Sequence, residues 1–309
     1  MGRPRRRPDP DPRRPRRAPA RTDRPDGPAA GSARRPRPGV LPARAARVST
    51  LLIHGLGADR RQPLELFSPV LAAIDAATGQ VVAVDVRAHG TSHEVGSPAD
   101  FALDRLAAQV AEAALAEFSA EAAAEPVTVI GISMGAAIAL RLAADALLPV
   151  ERAVFVRPSF DDTSLPDHLR VFPVIGDLLH DGGAGAVDQF RETELFHAVA
   201  AQSRAGAAAL LAQFSAPLAV ERAMRLVEVP RNRAFADESE LAEISGRGIR
   251  SLVLGAENDP VHPLELAERW AGALDAPLET VPPRDRGQPA QTAAMRDAVG
   301  RWLALTARM

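Results

Sequence analysis

The sequence predicts an α/β protein, with a mostly parallel sheet, helices on both faces and a helical segment inserted into it. Three observations carry that prediction. Short runs rich in Val, Ile and Leu alternate with longer stretches of helical apolar spacing, as strands joined by crossover helices do. The alternation stops over residues 158–248, where only helical spacing is found, and resumes at 251–255. Between these regions, residues 126–140 read as strand, sharp turn and helix: a β-branched run, then Gly131-Ile132-Ser133-Met134-Gly135, then an Ala- and Leu-rich stretch.

Composition narrows the class. The 309 residues can bury one large domain or two small ones. There is no cysteine, so disulfides and thiolate metal sites are excluded and nothing argues for secretion. All 37 basic residues are arginine, which with the abundant Ala, Pro and Gly reads as coding bias and lowers the weight of any single arginine. Residues 1–47 hold 15 Arg against 4 Asp, so the remainder is acidic. Residues 1–46 are Arg/Pro repeats with almost no large apolar side chain, and disorder is expected there because burial cannot offset the ordering entropy. No aromatic residue is interleaved to stack on bases, which argues against nucleic acid as a partner. No apolar run before Val48 suggests a signal peptide, and no run in the chain reaches membrane-spanning length, so a cytoplasmic location is expected.

The elements follow in order. Val48–Ile53 reads as a buried strand ending in His54-Gly55-Leu56-Gly57, and residues 63–78 have helical spacing. A second strand at 81–85 leads into a polar loop, and Asp100 is placed as the cap of a long helix running toward Glu125. The strand and serine turn come next, then a helix to about Leu147 and a strand at 153–156. Helices are predicted at 172–179, 187–201, 207–214 and 218–229, punctuated by prolines. A strand at 251–255, an acidic loop, a helix at 263–274, a short strand at Leu278–Val281 and a helix from Gln291 onward complete the chain. The predicted organisation is a tail (1–46), a core in two pieces (47–157 and 249–309) and a helical insertion (158–248).

The serine turn carries the chemistry. Gly131 and Gly135 let strand and helix approach closely enough to hold Ser133 in a strained conformation. A hydroxyl at a helix N-terminus then sits beside free N–H groups that favour a developing negative charge. The plain alternative is a glycine-flanked serine that caps a helix. Three further motifs stand in register with it: His54-Gly55-Leu56-Gly57, Asp85-Val-Arg87-Ala-His89-Gly90, and Gly255-Ala-Glu-Asn-Asp259-Pro-Val-His262-Pro263. With all four in this order, residues 48–307 resemble the α/β-hydrolases.

That resemblance implies Ser133 as nucleophile, the backbone N–H groups of Leu56 and Met134 as oxyanion hole, Asp259 as the acid that orients a histidine, residues 158–248 as a helical lid, and no cofactor. His54 and His89 occupy motif positions that shape turns. The family's catalytic histidine follows the last strand, yet residues 278–287 contain none and no histidine follows His262. Three readings stay open. His262, three residues beyond Asp259, is either the base or a polar residue at the pocket mouth; the base could come instead from His93, His168, His180 or His197; or catalysis has been lost and the pocket binds a ligand or partner. Arg284 and Arg286 stand about where the missing histidine would be and either hold a substrate carboxylate or form a solvated loop.

No phosphate-binding loop, no H-E-x-x-H and no ligand cluster with metal spacing is present in the sequence. The function implied by the resemblance and the serine turn is a serine hydrolase acting on a small or medium carboxylic ester or related acyl substrate, with a non-catalytic ligand- or partner-binding protein as the alternative. Phe172, Phe190, Phe196 and Phe214 in the insertion suggest an apolar acyl or alcohol part.

Overall fold

The computed structural model describes residues 48–74 and 78–307. The basic tail expected over 1–46 lies outside the described residues. Six strands form one parallel sheet: β1 (Val48–Ile53), β2 (Thr78–Val84), β3 (Val127–Ile132), β4 (Val150–Val156), β5 (Arg250–Ala256) and β6 (Leu278–Val281), in the order β2-β1-β3-β4-β5-β6. β3 lies at the centre, paired with β1 through Leu52↔Ile130 and with β4 through Ile130↔Val154. All six residues of β3 are buried, as expected of a strand covered on both faces.

Alternation along the strands sorts the core. Leu51, Ile53, Val129 and Phe155 point to one face, where α2 (Leu103–Glu117), α4 (Met134–Ala144) and α11 (Leu264–Ala273) bring Leu106, Leu140 and Trp270. Leu52, Ile130 and Val154 point to the other, covered by α1 (Arg61–Ala73) and α12 (Gln288–Thr306) through Phe67, Val299 and Trp302. Between β4 and β5 the chain forms α5 (Val171–Gly182), α6 (Val187–Arg191), α7 (Glu194–Gln202), α8 (Arg204–Leu211), α9 (Met224–Glu228) and α10 (Glu238–Gly246). Helices α5 to α9 gather a separate apolar cluster around Ile175, Phe190, Leu210 and Phe214, whereas Leu241 and Ile244 of α10 join the core around Trp270.

Several boundaries differ from the sequence reading, each for a local reason. Asp100 does not cap the long helix. It completes a capping box with Ser97 on a 3-10 turn at Pro98–Phe101, its carboxylate accepting from Ser97 N–H at 2.8 Å and Ser97 Oγ at 2.7 Å. The helix then runs only from Leu103 to Glu117, because Phe118 turns extended and Ser119 caps a further short helix, α3 (Ala120–Ala123). The helix predicted over 187–201 breaks before Thr193, whose Oγ1 accepts from Phe196 N–H at 3.2 Å and caps α7. The one predicted over 218–229 shrinks to α9, since Leu218 adopts a left-handed φ of 56° that a helix cannot continue through. Helix α10 was not predicted, although Asp237 followed by Glu238 and Glu240 is an N-terminal signature.

Candidate active site

Ser133 sits between β3 and α4 with φ 54° and ψ −113°, a left-handed conformation for a residue with a side chain. The neighbouring glycines make it possible. A Cβ on Gly131 would stand 2.1 Å from the Gly135 carbonyl oxygen, and one on Gly135 would stand 2.4 Å from that of Ile53. The Ser133 N–H donates to Val156 O at 2.9 Å, which fixes the turn to the end of β4.

Its hydroxyl meets two partners. His262 Nε2 lies 2.9 Å from Ser133 Oγ, and Ser159 Oγ lies at the same distance of 2.9 Å. His262 Nδ1 is 2.8 Å from Asp259 Oδ1. Asp259 and His262 occupy one turn after β5, in which the His262 N–H donates to the Asp259 carbonyl at 3.2 Å. Arg157 Nη1 donates to the other carboxylate oxygen at 3.2 Å. Burial alone would raise the Asp259 pKa, but the facing His262 and Arg157 outweigh it and hold the carboxyl well below the usual carboxylate range. Burial lowers the pKa of His262 below 6.5 against the opposing pull of Asp259, so the imidazole is neutral at pH 7. With Nδ1–H donating to Asp259, Nε2 is left to accept the Ser133 proton.

The remaining histidines do other things. His54 is buried and its Nε2 accepts from Val86 N–H at 3.0 Å; His89 is buried and its Nε2 accepts from Gly57 N–H at 3.0 Å. Their rings stand 4.9 Å apart, and together they join the loop after β1 to the loop after β2. Burial pushes His54 down to about 4 and His89 well below its ordinary value, so both stay neutral acceptors. His93 meets Arg222, His168 contacts the Ser159 carbonyl at 2.8 Å, and His180 and His197 are exposed. Among the described residues only His262 reaches Ser133.

Leu56 directly precedes Gly57 in the loop that His89 holds, and Met134 is the first residue of α4. Neither backbone N–H has a protein acceptor among the described residues. Ser133, Leu56, Asp259 and His262 line one cavity of about 330 Å³, at the small end of ligand sites. Phe160, Leu169, Phe172, Leu210 and Val261 supply its apolar wall. Phe190 and Phe214 do not, and neither does Phe196. They stack on one another with ring centroids 5.3 and 5.5 Å apart, because the inserted helices need a core of their own. Arg284 lines the cavity, whereas Arg286 is exposed outside it.

Sequence reasoning missed Arg157, Ser159 and Gln62. Arg157 and Ser159 leave the C-terminal end of a central strand, where α/β sheets gather their ligands, and that position was the available signal. Gln62 Oε1 accepts from Gly55 N–H at 2.9 Å and so braces the loop that presents Leu56. Among the described residues no group of His, Asp and Glu could hold a metal ion, and no helix is long and apolar enough to cross a membrane.

A parallel sheet with a strained serine between its central strand and the following helix, facing a histidine and an aspartate from a later strand end, defines a class. Residues 50–297 match the model of the alpha/beta hydrolase family, and the chain belongs to that family. Solved structures share the fold. One is MenH from S. aureus, with TM-score 0.60 and 16% identity over 85% of this chain and 95% of that one. Another is a hydrolase from Pseudomonas aeruginosa, with TM-score 0.59 and 20% identity over 83% and 90%. A third is the enol-lactonase from Burkholderia xenovorans, with TM-score 0.56 and 18% identity over 84% and 91%. No curated protein sequence matches the chain at a significant level.

Proposed function

We propose that the chain is a serine hydrolase that cleaves a small or medium carboxylic ester, or a related acyl substrate, through an acyl-enzyme at Ser133. The observation that carries this reading is the unbroken line from Asp259 through His262 to Ser133, with contacts of 2.8 and 2.9 Å. It offers a candidate base in place of the histidine missing after the last strand, the gap that left a non-catalytic binding protein as the alternative.

Ser133 Oγ attacks the substrate carbonyl carbon while its proton passes to His262 Nε2. Asp259, ionised and held by Arg157, stabilises the imidazolium that forms. The carbonyl oxygen becomes an oxyanion and accepts from the N–H groups of Leu56 and Met134, each such donor being worth about 3 kcal/mol in sites of this kind. His262 returns the proton to the leaving alcohol as the ester C–O bond breaks. A water molecule then gives its proton to His262 and attacks the acyl-enzyme; the acid leaves and the Ser133 hydroxyl is restored. Helices α5 to α9, in the region 158–248, act as the lid that keeps bulk water from the acyl-enzyme and limits substrate size. The apolar wall of the cavity suits an apolar acyl or alcohol part.

A fluorophosphonate probe tests the central step. Labelling that Ser133→Ala abolishes is expected. No labelling at any pH from 6 to 9 would return the chain to the binding-protein reading.

A further inference from the structure

The cavity beside Ser133 carries more positive charge than the catalytic arrangement uses. Arg157 and Arg284 both line it, and the one carboxylate among its lining residues, Asp259, is already engaged by Arg157 and His262. The guanidinium of Arg284 makes one hydrogen bond among the described residues, from Nε to Gln288 Oε1 at 3.3 Å, so both terminal nitrogens lack a protein acceptor. The adjacent carboxylate does not answer it. Asp285 turns away to accept from Ser203 Oγ and from Ala205 N–H, capping α8 from outside. Arg284 is also partly buried, and burial and the nearby Arg157 both disfavour its charge, only partly offset by Asp259 and Asp285. Holding a guanidinium there without a counter-charge costs free energy, and its planar fork is suited to a bidentate carboxylate.

We infer that the substrate carries a carboxylate of its own, held by Arg284: an ester or related acyl derivative of a dicarboxylic acid, hydrolysed at the end that reaches Ser133. The inference rests on the hydrolase reading for the reaction, but not for the binding. The apolar wall packs the chain between the two carboxyl groups, and the 330 Å³ volume limits that chain to a few carbons. Water supplies the oxygen of the second carboxylate and the proton of the departing alcohol, so the product is a dicarboxylate and an alcohol.

The test compares p-nitrophenyl hydrogen glutarate, a monoanion, with neutral p-nitrophenyl pentanoate of similar length. The wild-type chain is expected to favour the anion in kcat/KM by roughly 10- to 100-fold, the usual worth of a charge-assisted contact. Arg284→Gln should remove most of that ratio, Arg284→Lys should keep part of it, and Arg286→Gln should leave it in place. A wild-type ratio near one, or a ratio that survives Arg284→Gln, overturns the inference while turnover of the neutral ester leaves the hydrolase reading intact. If neither ester is cleaved and Ser133 takes no fluorophosphonate, the hydrolase reading fails, and calorimetric titration with glutarate decides the site separately. Binding weakened about tenfold or more by Arg284→Gln supports it; no binding, or equal binding by the variant, refutes it.

Discussion

Asp259→Asn is the most informative single substitution, because the surrounding donors dictate how the new amide must lie. The two carboxylate oxygens face different partners, Oδ2 accepting from Arg157 Nη1 at 3.2 Å and Oδ1 facing His262 Nδ1 at 2.8 Å while also accepting from Val261 N–H at a longer 3.4 Å. An asparagine has one oxygen and one NH2 group for these places. Arg157 can only donate, and its charged contact outweighs the longer one from Val261 N–H, so the amide oxygen turns toward Arg157 and the NH2 group toward His262. The imidazole must then accept at Nδ1 and carry its proton on Nε2, the nitrogen 2.9 Å from Ser133 Oγ. In that tautomer it cannot take the serine proton, and the negative charge that would stabilise an imidazolium is gone too. The expected loss in kcat is about 10³- to 10⁴-fold, or roughly 4 to 5 kcal/mol of barrier, with the fold retained. Steady-state hydrolysis of a p-nitrophenyl ester measures the rate, nitrogen-15 NMR of the imidazole reads the tautomer, and thermal melting checks the fold. A variant within tenfold of wild type, or one whose proton remains on Nδ1, would refute this reasoning.

The remaining predictions concern pH and packing. Because burial lowers the pKa of His262 below 6.5 and only neutral imidazole can accept the serine proton, kcat/KM should be at its plateau near neutrality and fall as pH drops, with an apparent pKa under 6.5; a midpoint above 7 would contradict the assignment. His54, pushed down to about 4 from 6.5, acts on stability in the same direction. The unfolded chain binds a proton at this site before the native one does, so stability is full above pH 6.5 and is lost as pH falls toward 4, by on the order of 3 kcal/mol from this residue alone. Urea titrations of the wild type and of His54→Asn between pH 7 and 4.5 measure it; equal pH dependence in both would exclude His54 as a cause. Gly135→Ala should destabilise by about 1 to 3 kcal/mol or more and abolish fluorophosphonate labelling, since its Cβ would fall 2.4 Å from a backbone oxygen of β1 that has no side-chain freedom to move. An unchanged urea midpoint would show that strand and helix are less closely apposed than described.

How much of this was legible in the sequence depends on the range of the interaction involved. The sheet was readable because each strand is a self-contained run of apolar residues, and Leu278–Val281 was found at its observed limits. The serine turn was readable because the glycines it requires lie two residues either side of Ser133. Helix limits were less so where a single hydroxyl or one left-handed residue decides them, as Thr193 and Leu218 do. Which histidine stands beside Ser133 was not decidable from spacing, because it depends on the path of the turn after β5. Arg157 and Ser159 were passed over for a related reason. Nothing in Arg157-Pro158-Ser159 marks it out locally, and its importance arises only where the ends of β3, β4 and β5 converge. Of the insertion's phenylalanines, Phe172 lines the cavity whereas Phe190, Phe196 and Phe214 pack among the inserted helices, and composition cannot tell a wall from a core.

Asp259 and His262 belong to the same short turn, secured by its own backbone hydrogen bond. Any drift of that turn carries both side chains along, so their mutual alignment survives and only one spacing, that to Ser133, remains to be kept. With the proposed base on this turn, the segment between β6 and α12 has no part in the proposed proton transfer, and its Asp285 accepts instead from Ser203 Oγ and Ala205 N–H. Arg284 of that segment stands at the cavity wall, so the proposed carboxylate contact can be altered by substitution without touching the turn that carries Asp259 and His262.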